Sequence, residues 1–425
     1  MKERFDYPKM SRRADREEFS QAFDNPEQDG NKIIIHKSVR RPAPLIVQLP
    51  LGINQRRASF AQGEPRCFVQ DSFMAKVRGL FIMRRSYSLS SLAAGGLLLI
   101  GSAIPSPGEP PAPLPFFKGV TVSCQTWGIE WQTPEMEASL DELKSLGVNS
   151  IAIHPYAQIR EDGHVITGRR SGASTTHITT PLRWAHERGI SVMLIPHIAY
   201  WGTKFSWRGE INFVTPDEWN TFFADYEAWI VQMATIAEAE HAAVFCVGLE
   251  FSYAQKHEER WRKIIAAVRA VYHGKVTYGA NWNEYAEVKF WDALDYIGVL
   301  AYFPLSKSTN PSAAEISSAW EKRCRELEKF SKQNGKQFLF AEIGYNESAR
   351  AAAEPWGFKT GGDHAAEIQE RCIDIALALP AKHSFIAGMY WWKWFPEVPD
   401  DEQENYRLQT APIKALIAKH WNTER

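Results

Sequence analysis

The chain is poor in cysteine. It has five in 425 residues, at Cys67, Cys124, Cys246, Cys324 and Cys372, an odd number with no CxxC pair. That excludes a zinc ribbon and a disulfide framework. Cys124 and Cys246 fall in apparent core strands and read as small buried hydrophobes. The sequence leaves open whether Cys324 and Cys372 are bridged. An excess of charge of one sign is also lacking, with 49 Lys and Arg against 50 Asp and Glu. Without a basic face, nucleic acid is not an expected partner. The signatures of nucleotide and phosphate enzymes are missing: no GxGxxG follows the first strand, and there is no P-loop. There is no GxSxG for a serine hydrolase. His257-Glu258-Glu259-Arg260-Trp261 opens like a zinc HExxH, but Trp261 stands where the second His is needed.

Long apolar runs are absent too. The longest candidate follows Met83-Arg84-Arg85-Ser86: the stretch Leu92 to Ile100, closed by Gly101-Ser102-Ala103. It is short for a bilayer span. A basic start, an apolar middle and small residues at the end read as a signal peptide at 83–103, with no Cys after it to carry a lipid. Residues 104–115 are Pro-rich and read as a stiff linker. Residues 1–82 are polar and without period, and are expected to be disordered or to precede the true start at Met74 or Met83. The expected mature protein is exported, periplasmic or extracellular, with no stable membrane span, and begins near Ile104.

Aromatic residues are plentiful, with 16 Trp. Most Trp belong in a core, but exposed Trp and Tyr also provide flat faces on which sugar rings stack. From Phe116 onward, short β-branched or aromatic runs alternate with longer amphipathic stretches. Strands are expected at Gly119–Ser123, Ser150–His154, Ser191–Pro196, up to Glu250, Lys275–Ala280, Tyr296–Tyr302, up to Glu342, and Phe385–Trp392. Helices are expected at Pro134–Leu146, Pro181–Arg188, Pro216–Ala239, Glu258–Tyr272, Val288–Leu294, Ala313–Gln333, through Leu379 with Asp363 as cap, and Ala411–Trp421. Thr215 with Glu218 three residues on is a capping box for the third of these. Eight continuous apolar strands, each followed by a helix, predict a (β/α)8 TIM barrel over 116–425 as a single catalytic domain.

Two of those strands end in glutamate. Val244-Phe245-Cys246-Val247-Gly248-Leu249 runs into Glu250, and Phe338-Leu339-Phe340-Ala341 into Glu342. An unpaired buried carboxylate costs several kcal/mol, roughly. A carboxylate closing a buried strand therefore belongs at a rim, and the rim at the C-terminal ends of barrel strands is where chemistry sits. Two carboxyl groups across such a mouth are the minimal equipment for cleaving a glycosidic bond. A strand-end Glu also serves as a cap or an ion-pair partner, so the pair is what carries the reading.

Five segments resemble glycoside hydrolase family 113. They are Trp127 after the first strand, Gly248-Leu249-Glu250 at the fourth, Ala301-Tyr302-Phe303-Pro304-Leu305 at the sixth, Ala341-Glu342-Ile343-Gly344-Tyr345 at the seventh and Tyr390-Trp391-Trp392 at the eighth. The resemblance covers roughly residues 116–421. It implies a retaining (β/α)8 glycosidase, β-mannanase-like, with Glu342 as nucleophile and Glu250 as acid/base, and no cofactor beyond two carboxyl groups and water. Two positions depart from the pattern. Leu249 stands where the wider clan has Asn, and Ile195 where the family has a basic residue before Pro-His.

Around the pair, Tyr302 is placed to hydrogen-bond Glu342. His154, His197 and Trp201 follow the second and third strands, with Gln158 and Tyr200 near them. Asn281 and Trp282, with Asn283, follow the fifth strand. With Trp127 and Trp392 these are the candidate sugar contacts. Of the neighbours Trp391 and Trp392, one faces into the barrel, and Trp392 is favoured; Trp394 is a further part of the stacking floor. The loops 203–212 and 346–362 are expected to shape the cleft ends. The expected partner is a poly- or oligosaccharide bound by a monomer. A catalytically silent carbohydrate-binding barrel and a β-glucan-cleaving enzyme are the competing readings.

Overall fold

The computed structural model describes residues 115–168, 174–399 and 406–422. The extension 1–82, the signal-like segment 83–103 and the linker up to residue 114 lie outside the described residues. Within them the chain alternates as expected. β1 (Phe117–Val122) leads to α1 (Pro134–Ser145) and then to β2 (Ser150–Ile153). Two short strands follow, β3 (Tyr156–Ile159) and β4 (Val165–Ile166), before α2 (Thr176–Glu187) and β5 (Ser191–Leu194). β6 (His197–Ala199) precedes α3 (Pro216–Ala239) and β7 (Val244–Leu249). Then come α4 (Glu258–Arg269), β8 (Lys275–Asn281), β9 (Ile297–Leu300), α5 (Ala313–Asn334), β10 (Phe338–Ile343), α6 (Ala365–Leu377), β11 (Ile386–Trp394) and α7 (Ala411–Trp421).

Eight parallel strands close a barrel in the order β1-β2-β5-β7-β8-β9-β10-β11, with β11 pairing back onto β1. β7 and β10 are buried along their whole length, which is why they read as unbroken apolar runs. Inside the barrel pack Phe117, Met193, Val244, Cys246, Leu300, Leu339 and Tyr390. Between the strands and the surrounding helices lies the larger core. α3 shows how the sequence builds that layer. Pro216 sits in its first turn, Thr215 accepts from the Glu218 backbone N–H, and Glu218 caps Thr215 in return. Phe222, Tyr226, Trp229, Ile230 and Met233 then recur at helical spacing on the buried face. Each such burial contributes about 1.5–3 kcal/mol.

The differences from expectation are local. The helix expected at Val288–Leu294 is two 3-10 turns, Tyr285–Glu287 and Trp291–Ala293. α2 begins at Thr176 rather than at Pro181, so Pro181 lies inside it at the loss of one backbone hydrogen bond. Asp363 does not cap α6; His364 is the N-cap residue, in the left-handed region. Cys124 lies beyond β1, half-buried, with Sγ 3.1 Å from the Thr126 carbonyl. Cys324 and Cys372 are both buried free thiols, so they are not bridged. A three-stranded sheet, β4-β3-β6, was not anticipated. Its strands follow β2 and β5 directly, and β3 pairs with β6 so that Tyr156 stands beside His197 at the barrel mouth. Among the described residues no helix is long and apolar enough to cross a membrane.

Candidate active site

The chemistry-bearing side chains gather at the C-terminal ends of β2, β5, β7, β9, β10 and β11. Glu342 is the fifth residue of β10 and is 6% exposed. The Tyr302 phenol, two residues past β9, donates to its Oε2 at 3.0 Å. His197 Nε2 stands 3.6 Å from its Oε1. Glu250 follows β7 immediately, with φ of 63°. A left-handed glutamate costs on the order of 1 kcal/mol or more, and such outliers collect at functional sites. Its backbone N–H donates to the Gly279 carbonyl at 2.9 Å, which ties the turn to β8.

Arg208 links the two halves. Its Nη1 donates to Glu250 Oε2 at 2.6 Å and its Nη2 to His197 Nδ1 at 3.1 Å. Its Nε donates to the Ile198 carbonyl at 2.7 Å, and its guanidinium lies 5.8 Å from the Tyr200 ring centre. A guanidinium only donates, so His197 Nδ1 accepts. Burial holds the His197 ring neutral, with Arg208 and His154 acting in the same direction. Its proton is then on Nε2, facing Glu342.

Burial raises the Glu342 carboxyl to about 8, and the charge on Glu250 adds to the effect; Arg208, the Tyr302 hydrogen bond and Lys393 pull the other way. Glu342 thus holds its proton well above the ordinary carboxylate range, chiefly because a charge there is poorly solvated. Burial and the neighbouring Glu342 keep the Tyr302 phenol protonated, so it remains a donor.

Three rings form one wall. Trp392 stacks on His197 at 6.0 Å and 18°, and His197 on His154 at 4.7 Å and 21°. His154 is fully buried beside Trp131, with Nε2 3.2 Å from the Ser123 hydroxyl. Burial drives its pKa down to about 3, so it stays neutral. Trp391, by contrast, is fully buried and packs on Tyr345 outside the barrel, while Trp394 is buried in the same outer core. Trp127 and Trp201 meet Tyr156 at 5.9 and 5.1 Å, and Tyr156 meets His197 at 5.8 Å. This aromatic cluster therefore continues the wall outward. Gln158 donates to the Trp201 carbonyl, which pins that loop. Around the mouth, Trp282 stacks on Trp356 at 5.5 Å and 15°. Asn281 is committed to neighbours: its Nδ2 donates to Ser252 Oγ and to Glu284 Oε2.

Sequence reasoning missed Arg208, Tyr156 and Glu284. Arg208 lies in the 203–212 loop, expected only to shape a cleft end. Tyr156 follows a strand end by three residues, and Glu284 lies in the turn after β8. Nothing local distinguishes them from surface polar residues.

Among the described residues no group of three or more His, Cys, Asp or Glu is arranged to hold a metal ion. No curated protein sequence matches the chain. Solved structures do. A family 113 β-mannanase from Alicyclobacillus acidocaldarius, in complex with ManMIm, is 27% identical. The alignment covers 73% of this chain and 98% of that one, with a TM-score of 0.63. Two further structures, each described as a family 113 β-1,4-mannanase, are 24% and 25% identical with TM-scores of 0.64. Each covers 73% of this chain and 100% of its own. The profile of Glycoside Hydrolase Family 113 matches residues 120–409, nearly the whole barrel. By that match the chain belongs to glycoside hydrolase family 113.

Proposed function

We propose that the protein cleaves β-1,4-linked mannan-type poly- or oligosaccharides with retention, Glu342 acting as nucleophile and Glu250 as acid/base. The observation that carries the reading is the carboxyl pair at the barrel mouth: Glu342 buried and aimed by Tyr302, and Glu250 on the turn after β7, linked to it through Arg208 and His197. The substrate class is supported by the family and by the β-mannanases that the fold resembles.

In the first half of the reaction a Glu342 oxygen attacks the anomeric carbon while Glu250 gives its proton to the departing glycosidic oxygen. The products are a glycosyl ester on Glu342, a shortened glycan and an ionised Glu250. In the second half Glu250 takes a proton from water, the water oxygen attacks the same carbon, and Glu342 leaves as carboxylate. Trp392 offers an apolar face for the sugar ring, and the Trp127–Tyr156–Trp201 cluster extends that face along the cleft.

Product release from β-mannan, glucomannan, β-glucan and xylan tests the reading. Cleavage of mannan or glucomannan is expected. Cleavage confined to β-glucan or xylan would overturn the substrate class, and binding without turnover of any of the four would favour a silent barrel.

Tyr302→Phe is expected to keep the fold and lower kcat/KM for mannan by about 10- to 100-fold, because a hydrogen bond to a charged group contributes about 1.5–3 kcal/mol. A melting curve alongside the kinetics checks this; unchanged kcat/KM would remove Tyr302 from the machinery.

We also propose that the protein is exported. Support comes from Met83-Arg84-Arg85 followed by the apolar run to Ile100. N-terminal sequencing of the native protein is expected to read from near Ile104, and a mature chain beginning near Met1 would refute it.

A further inference from the structure

The arginine between the two carboxyl groups has no role in the scheme above. It is a largely buried cation whose Nη1 donates to Glu250, Nη2 to His197 and Nε to the Ile198 carbonyl. Burying a guanidinium is costly unless it is paired and fully hydrogen-bonded. It reaches the site from a loop rather than from a barrel strand, and touches Glu250 directly and Glu342 through His197.

We propose that Arg208 is a positioning residue for both carboxyl groups: its Nη1 holds Glu250, and its Nη2 fixes His197 as the tautomer whose Nε2–H faces Glu342. The inference rests on the assignment of Glu250 and Glu342 as the reacting pair. It gives the pair an order of events. In the free protein Arg208 occupies Glu250 Oε2 at 2.6 Å, and burial favours the protonated form of Glu342. Glycosylation needs the opposite arrangement, so Arg208 yields Glu250 to the glycosidic oxygen when substrate enters. Arg208 suits the second half of the reaction as it stands, where Glu250 is the ionised base and Glu342 is an ester. The His197 contact at 3.6 Å is long for a hydrogen bond and shortens once Glu342 carries charge.

The charged and titratable groups facing this pair set what substitution does. Glu342 faces Glu250, Arg208, His197, Lys393, Tyr302, Tyr156, Tyr406 and Cys246. Glu250 faces Arg208, Tyr278 and Tyr302. Removing the Arg208 cation disfavours the ionised form of Glu342, so that group titrates higher. Lysine keeps the charge, but one ammonium does not reproduce the fork that holds Glu250 and His197 together.

The test uses the full chain, with Arg208→Met and Arg208→Lys beside wild type. The carboxyl carbons of Glu250 and Glu342 are followed by 13C NMR from pH 4 to 10 without glycan, the Glu342 signal being identified with Glu342→Gln. In Arg208→Met the higher titration is expected to move up by about one pH unit or more. The basic limb of kcat/KM on mannan is expected to move with it, and kcat/KM at its optimum to fall about 100-fold. In Arg208→Lys the limb stays near wild type while most of the fall in kcat/KM remains. A purely structural arginine would lower the melting temperature and activity in both variants without moving the titration. Wild-type titration and kcat/KM in a folded Arg208→Met overturn the proposal, as does full recovery in Arg208→Lys. The NMR arm needs no substrate, so it decides the role of Arg208 even for a protein that leaves mannan intact. Mannan cleavage with an unmoved titration in Arg208→Met would refute this inference alone.

Discussion

Glu342→Ala is expected to lower kcat/KM on mannan by about 10⁴-fold or more, with the melting temperature unchanged or raised. The melting behaviour follows from burial: Glu342 is 6% exposed, and its carboxyl titrates upward because a charge there is poorly solvated. The sign matters. A folded pKa above the unfolded value stabilises the fold below about pH 4.5, and the contribution is lost as pH rises toward 8. Removing the group therefore gains most stability above neutral pH. Glu250→Ala is expected to cost about 10²- to 10⁴-fold on mannan, the usual contribution of a general acid and base.

The two variants are separable by chemistry. An aryl β-mannoside has a leaving group that departs without a proton, so Glu250→Ala keeps most of its first half-reaction on that substrate. Azide then attacks the glycosyl ester and returns a β-mannosyl azide. In Glu342→Ala azide takes the nucleophile's place and returns the α-anomer. Mannan hydrolysis at the wild-type rate in either variant would sink the assignment, and an α-azide from Glu250→Ala would reverse the two roles.

Trp261→Ala is expected to cost about 3–5 kcal/mol of stability and to lower the melting temperature by on the order of 10 °C. Trp261 is fully buried on α4, and its indole N–H donates to the Ala254 carbonyl at 2.9 Å. Its ring packs against Phe223, Tyr226, Phe251, Tyr278 and Phe290, the last stacked at 5.8 Å and 23°. Truncation leaves a cavity between two helices and two strands, plus an unmet carbonyl. The site is affected as well. Trp261 also lies against Gly248, where an added Cβ would come within 2.6 Å of the indole. The indole thus backs the segment 248–254 that carries Glu250. Circular dichroism melts with mannan assays below the transition check both effects; a drop under about 3 °C would show that the neighbours collapse into the space.

How far these residues announce themselves depends on whether their signals are local. α3 runs from Pro216 to Ala239 as the sequence predicts, because Pro in the first turn, the Thr215–Glu218 box and the apolar stripe all act within the helix. Glu250 and Glu342 stand out because a carboxylate that ends a run of buried residues is costly anywhere but a rim. Family-like segments at the strand ends then name the chemistry. Trp392 could be chosen over Trp391 only weakly from alternation; the barrel curvature and the ring stack with His197 decide which one faces inward.

Other features have no local signal. β3, β4 and β6 are four, two and three residues long. Strands that short exist only through their partners, so pairing across the mouth creates them. Asp363 is a good cap by composition, yet the loop geometry after β10 places His364 at the helix entrance instead. The thiols of Cys324 and Cys372 are set on separate helices, α5 and α6, and burial in the outer core serves them as free groups. Arg208 precedes Glu250 by 42 residues in a polar loop, and no spacing rule connects them. The sequence by itself determined the barrel, its strand order and the carboxyl pair, because each depends on burial periodicity or on the cost of a charge. The link between the carboxyl groups through Arg208 and His197, the tautomer of that histidine and the aromatic wall beside it were decided only by tertiary structure. Those depend on which loops meet above a closed barrel, a long-range fact that no short window of residues contains.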